Sequence, residues 1–146
     1  YDILFIADEV ITGFCRTGKM FGCETMGIKP DAMTLAKGLT SAYQPLAAIV
    51  ISDEIYRGMQ KGSGSTANFF AHGATYSGHP VACAVGLRVL ELLEERHILA
   101  QVQQTSRRFA ERIHGFAGHP LVGETRPVGL LGAVAGAGAL SGAAAG

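Results

Sequence analysis

The apolar positions fall first into short runs and later into a helical repeat. "DILFIA" (2–7) is an unbroken apolar run, the pattern of a strand buried on both faces. "DAMTLA" (31–36) reads as a second short strand, and "LAAIVIS" (46–52), rich in β-branched residues, as a third. Between the first two, "MFGCETMG" (20–27) reads as a short helix closed by Gly27 and Pro30. "DEIYRGMQ" (53–60) has Ser52 as a cap and acids in its first turn, which favours a helix. From Pro80 a longer helix begins, with Val81, Val85, Val89, Leu92 and Leu93 forming a core-facing stripe. The repeat breaks near Arg96-His97 and resumes through 98–113, and "LVGE" and "VGLLGAV" read as strands of a further unit. Alternating strands and helices imply an α/β fold with a mostly parallel sheet under helical cover.

Two segments stand outside this alternation. "KGSGSTANFFAHGATYSGH" (61–79) is a long Gly- and Ser-rich loop, and its aromatics Phe69, Phe70 and Tyr76 favour a functional role. The Gly/Ala-rich end, 135–146, has Leu140 as its one large apolar residue and no charge, so it builds no core of its own.

Composition narrows the function. Twelve basic and twelve acidic residues cancel over 146 positions, and no charge block points to nucleic acid or an anionic membrane. No apolar run reaches membrane-spanning length. The opening residues lack the basic flank and cleavage site of a signal peptide. Cys15, Cys23 and Cys83 form no C-x-x-C pair, which argues for a reducing compartment, here read as the cytoplasm. The five histidines do not cluster as zinc ligands, and no metal site is expected; His72 and His79 flank the loop, within reach of a ligand bound there.

Candidate chemistry sits at strand ends. "LFIADEVITGFCRTGKM" (4–20) ends an apolar run in Asp8-Glu9 and then nearly spells a phosphate-binding loop with Gly13, Gly18 and Lys19. Met20 stands where such a loop needs Ser or Thr to hold magnesium, and the two signatures are too close to come from separate strands. A nucleoside triphosphatase is therefore rejected. In parallel sheets ligands sit beyond the carboxyl ends of the strands. Asp8 lies at one such end, and Lys37 lies one residue past "DAMTLA" at another.

The blocks "ADEVITGFCRTGKMFG", "PDAMTLAKGLTSAYQPLAA" and "HGATYSGHPVACAVGL" together resemble the class III aminotransferases, which use pyridoxal 5′-phosphate (PLP). They occur in the family's order over about residues 3 to 113. "SAYQPLAAIVISDEIY" looks most like the ω-amino acid:pyruvate branch, with diaminopelargonate, acetylornithine and 4-aminobutyrate enzymes as close relatives. The resemblance implies a PLP-dependent transferase of fold type I. Residues 1–96 would be part of the large domain, 97–134 the linking helix and start of the C-terminal domain, and 135–146 a tail. It implies that Asp8 pairs with the protonated ring nitrogen, that Val10 packs on the ring face, and that Lys37 is the catalytic Schiff-base lysine. It implies that Thr75 binds the phosphate across the interface of a homodimer whose substrates are small amines and keto acids. Glu9 points away from Asp8 on an alternating strand and is read as structural. The Gly13–Gly18 stretch is read as a turn tied down by Arg16.

Some positions depart from the family pattern. Cys15 stands where Gly or Ala is usual, Ala42 where Gly is common, Ile11 where some relatives carry Gln, and Pro127 in place of a more usual residue. The family's chains are about three times this length, and their upstream phosphate turn, ring-stacking aromatic and downstream carboxylate-binding arginine have no counterpart here. A competing reading is a non-catalytic, structural remnant of such a fold.

Overall fold

The first strand, β1 (Ile6–Asp8), carries the chain to the first candidate acid. In a computed structural model describing residues 3–61 and 72–138, it is followed by α1 (Gly22–Met26), β2 (Ala32–Leu35), a 3-10 turn (Lys37–Leu39), β3 (Ala48–Ile51) and α2 (Asp53–Lys61). Then come α3 (Pro80–Glu95), α4 (Ile98–His114), β4 (Val122–Val128) and β5 (Leu131–Gly136). Part of the long loop, residues 62–71, lies outside the described residues, as does most of the Gly/Ala tail.

β1 and β2 pair in parallel with Asp8 opposite Thr34, so both strands end at one rim. β3 joins the other side of β2, but antiparallel, with Leu35 opposite Ala48. The α/β class holds, while the expected mostly parallel sheet is mixed in this part of the fold. Run length and apolarity do not encode strand direction; the connection through Lys37–Leu39 returns the chain alongside β2 from its carboxyl end.

The expected burial of "DILFIA" on both faces is also corrected. Ile3, Leu4 and Ile6 are more than half exposed, and the paired strand is only Ile6–Asp8. Such a run needs layers on both faces of the sheet, and the described elements do not cover this one.

The helices follow the pattern more closely. Tyr56 N–H donates to the Ser52 carbonyl at 3.0 Å, starting α2 at the expected cap. α3 starts at Pro80 and ends at Glu95; α4 starts after His97, whose left-handed φ of 49° makes the break. Of the α3 stripe Val89 is buried, while Val81 is 54% exposed. Ala82 and Gly86 are buried instead, because α3 approaches the 38–46 segment closely: a Cβ on Gly86 would lie 3.1 Å from Leu46 Cδ2.

"LVGE" and "VGLLGAV" form one antiparallel hairpin, with Val128 opposite Leu131. Pro127, opposite Gly132, sits inside β4, where a two-stranded ribbon leaves each strand an open side for a residue with no N–H. α4 packs on this hairpin: a Cβ on Gly132 would meet the Phe109 ring at 3.0 Å, and His114 Nδ1 lies 3.1 Å from Thr125 Oγ1.

Candidate active site

Asp8 ends β1 with an exposed carboxylate. Its Oδ1 accepts from the Val10 N–H at 3.0 Å and from the Thr34 hydroxyl at 3.2 Å. Those bonds turn the side chain along the rim rather than into the sheet.

Lys37 opens the 3-10 turn two residues beyond β2, on the same rim, and is exposed. Its φ is 44°, in the left-handed region that costs an L residue about 1–2 kcal/mol. A lysine held in such a conformation at a strand end is the kind of outlier from which function is argued. Its neighbour explains the turn. Gly38 lies under the Phe14 ring, where a Cβ would come within 2.9 Å of Cδ2, and Phe14 stacks edge-on against Phe21 at 5.8 Å.

Lys37 shares a cleft of about 330 Å³ with Val10, Phe14, Arg16 and Leu131. Leu131 comes from the C-terminal hairpin, which sequence reasoning did not connect to the site; no local pattern marks so distant a contact. The hairpin seats on the expected turn. Leu130 N–H donates to the Arg16 carbonyl at 2.9 Å, and Gly129 (φ 57°) is so close that a Cβ would lie 2.5 Å from that oxygen. Arg16 thus does hold the turn, but through its main chain. Gln103 of α4 adds a bond from Nε2 to the Gly18 carbonyl at 3.0 Å.

Glu9 is oriented away from this rim and is 2% exposed. Its carboxylate accepts from the Thr12 hydroxyl, from Gly22 N–H at 2.8 Å and from Cys23 N–H at 2.6 Å. Burial pushes its carboxyl up, but the Thr12 hydroxyl and the Cys23 and Gly22 amides outweigh that, leaving it below the ordinary value.

Thr75 is exposed in the turn that leads into α3 and is not among the residues lining the Lys37 cleft. That turn is closed by Ser77 N–H to the Ala74 carbonyl at 2.9 Å. His79 precedes α3 and lies near the Tyr76 ring, with centroids 6.1 Å apart.

The three cysteines are free, and burial pushes the Cys15 thiol up, away from thiolate chemistry. Among the described residues no His, Cys, Asp or Glu group is placed to hold a metal, and no helix is long and apolar enough to cross a membrane.

An α/β sheet bearing an acid and a lysine at the carboxyl ends of adjacent parallel strands has the site layout of a small-molecule enzyme. The profile of the family Aminotransferase class-III matches residues 1–140, and the chain belongs to that family. It is 54% identical over 131 residues to gamma-aminobutyrate transaminase 1, mitochondrial, of Oryza sativa subsp. indica, covering 90% of this chain and 25% of that protein. It is 50% identical to gamma aminobutyrate transaminase 3, chloroplastic, of Solanum lycopersicum, again over 90% of this chain and 25% of that one. The solved omega transaminase from Pseudomonas jessenii in complex with PMP is 48% identical, with a TM-score of 0.86 over 92% of this chain and 29% of that chain. The chain therefore spans about a quarter of the length of the curated relatives it matches. An omega transaminase and the 4-aminobutyrate enzymes named from the sequence are among these relatives.

Proposed function

We propose that Asp8, Val10 and Lys37 form the PLP-binding rim of a complete transaminating enzyme. That enzyme moves an amino group from an amine or ω-amino acid to a keto acid such as pyruvate. The observation that carries this reading is the single rim that bears both a carboxylate and an exposed lysine of left-handed φ, with Val10 and Lys37 sharing one cleft.

The residues fit the cofactor. A cleft of about 330 Å³ lies at the small end of the range for ligand sites, and its apolar wall at Val10, Phe14 and Leu131 suits a flat ring. When bound, PLP supplies the aldehyde that takes up the amino group and a cationic ring that draws electrons from the substrate. Asp8 supplies the negative charge that keeps a proton on the ring nitrogen. Lys37 Nζ would hold PLP and, as a free amine, would move a proton at the substrate's Cα. Val10 would cover one face of the ring and keep water from it.

Thr75 is assigned to the phosphate of a neighbouring subunit's site, because its hydroxyl and N–H suit an anion and its exposed turn lies outside the Lys37 cleft. Residues 1–96 then belong to part of the large domain, 97–134 form the linking helix and the start of the C-terminal small domain, and two such chains share their sites in a homodimer. Free cysteines suit the cytoplasm or another reducing compartment; the two plant relatives are named for the mitochondrion and the chloroplast.

Borohydride reduction in the presence of PLP, followed by peptide mapping, tests the reading. The expected label is on Lys37; a label on Lys19 or Lys61 in its place refutes the assignment. A heterodimer of a Lys37 mutant and a Thr75 mutant should regain one intact site. Failure to do so places Thr75 in its own subunit's site.

A further inference from the structure

Glu9 has no part in the chemistry just assigned, yet it is the most completely engaged side chain near the site. It is 2% exposed, and donors occupy both carboxylate oxygens: Gly22 N–H at 2.8 Å and the Thr12 hydroxyl on Oε2, Cys23 N–H at 2.6 Å on Oε1. Its main chain is tied as well. Glu9 N–H donates to the Thr34 carbonyl at 3.0 Å, and its own carbonyl accepts from Gly13 N–H at 2.9 Å. One residue thus joins β2, the 10–21 turn and the start of α1. Space has been cleared for it: a Cβ on Gly22 would lie 3.0 Å from Oε2 and 2.7 Å from Thr12 Cβ, and one on Gly13 would lie 2.8 Å from the Glu9 carbonyl oxygen.

We propose that Glu9 is a positioning residue for the cofactor, its buried carboxylate fixing the direction in which Asp8 and Val10 leave the strand. The inference rests on the reading that Asp8 and Val10 meet the ring. Asp8 and Val10 flank Glu9 in sequence, and the bond from Val10 N–H to Asp8 Oδ1 spans it. Rotation of Glu9 about the strand axis therefore moves both. An apolar residue of similar volume would fill the space, but it would not fix an orientation; charge-assisted bonds to two backbone amides and a hydroxyl do. Displacement of about 1 Å at a reacting centre is enough to cost on the order of 100-fold in rate.

The test uses the complete enzyme with its cofactor and two variants, Glu9→Gln and Thr12→Val. Gln keeps the size but points an N–H₂ at donors that need an acceptor. Thr12→Val removes one donor and leaves the carboxylate with its backbone amides. The expected result for Glu9→Gln is full trapping of PLP at Lys37, at least halved visible circular dichroism of the bound cofactor, and kcat lower by about 10–100-fold with KM for the amine little changed. Thr12→Val should show the same changes, smaller. A lowered melting temperature with unchanged visible dichroism and unchanged kcat overturns the proposal, because a merely structural residue gives that pattern. If Glu9→Gln does not fold, Thr12→Val decides by the same two readouts. If the parent enzyme is not labelled at Lys37, the functional reading fails first and takes this inference with it; labelled parent and unaltered variants refute this inference alone.

Discussion

Replacing Gly129 by Ala should loosen the seat of the C-terminal hairpin on the site. Gly129 has φ 57°, a conformation that costs an L residue about 1–2 kcal/mol. Its added Cβ would also lie 2.4 Å from the Thr17 carbonyl carbon and 2.5 Å from the Arg16 oxygen. Both are backbone atoms with no rotamer to yield, so the hairpin must lift. Lifting it breaks the bond from Leu130 N–H to the Arg16 carbonyl, worth about 0.5–1.5 kcal/mol net. The sum is about 1.5–3.5 kcal/mol of local destabilisation. At 1.36 kcal/mol per decade, that is roughly a 10- to 400-fold faster exchange of the Leu130 amide. Native-state hydrogen exchange in the complete enzyme reads it directly. Gly27→Ala is the control: its φ is 65°, but open space surrounds the new Cβ, so it carries the conformational cost without the collision. Leu130 exchange in Gly129→Ala within 3-fold of the parent would refute the reasoning, since the hairpin would then not rest on the turn.

Four further outcomes follow from the same geometry. Asp8→Asn should leave PLP bound but lower kcat by about 10²–10³-fold, as loss of other preorganised charge partners does; near-normal turnover would sink the assigned role. Ala42→Gly should stabilise the protein by about 1 kcal/mol in equilibrium unfolding, because Ala42 is exposed with φ 64° and loses no packing; a destabilised variant would contradict it. Because the folded Glu9 carboxyl lies below its unfolded value, its contribution is complete above the ordinary carboxylate range, near pH 4.3, and is lost as pH falls through the lowered value. Glu9→Gln should therefore flatten the acid limb of the stability–pH curve, and an unchanged limb would assign that limb to other groups. The 146-residue chain alone should be poorly soluble and inactive with amine and pyruvate, given the exposed Ile3, Leu4 and Ile6; monodisperse, active chain would show that reading wrong.

Much of this was legible in the sequence wherever the cause was local. Pro80 and the break at Arg96-His97 delimit two helices because they act through backbone geometry at their own positions. Asp8 and Lys37 were visible as polar residues ending apolar runs, and the structure places them on one rim. The departures at Cys15 and Ala42 acquire a physical meaning only in three dimensions: both have left-handed φ, 71° and 64°, where the glycine often found in the family carries no Cβ penalty. What the pattern misjudged was non-local. The exposure of β1 depends on what packs above it, the direction of β3 on the path of a connection, and Leu131 at the Lys37 cleft on the docking of a distant hairpin. Hydrophobic spacing also passed over Ala82 and Gly86, since a close helix approach selects small residues and leaves no large apolar signature.

The hairpin's seat on the Arg16 turn has a consequence for the order in which a newly made chain matures. Lys37 is made before Leu131, which lines the same cleft and follows it by roughly 5–20 s at ordinary elongation rates. Until then the lysine stands on an open edge, able to meet an aldehyde but without the wall that would retain a ring. On the proposed reading, stable capture of PLP would wait until the hairpin has been made and docked. A chain that stops short of Gly129 would carry the proposed cofactor lysine without that wall.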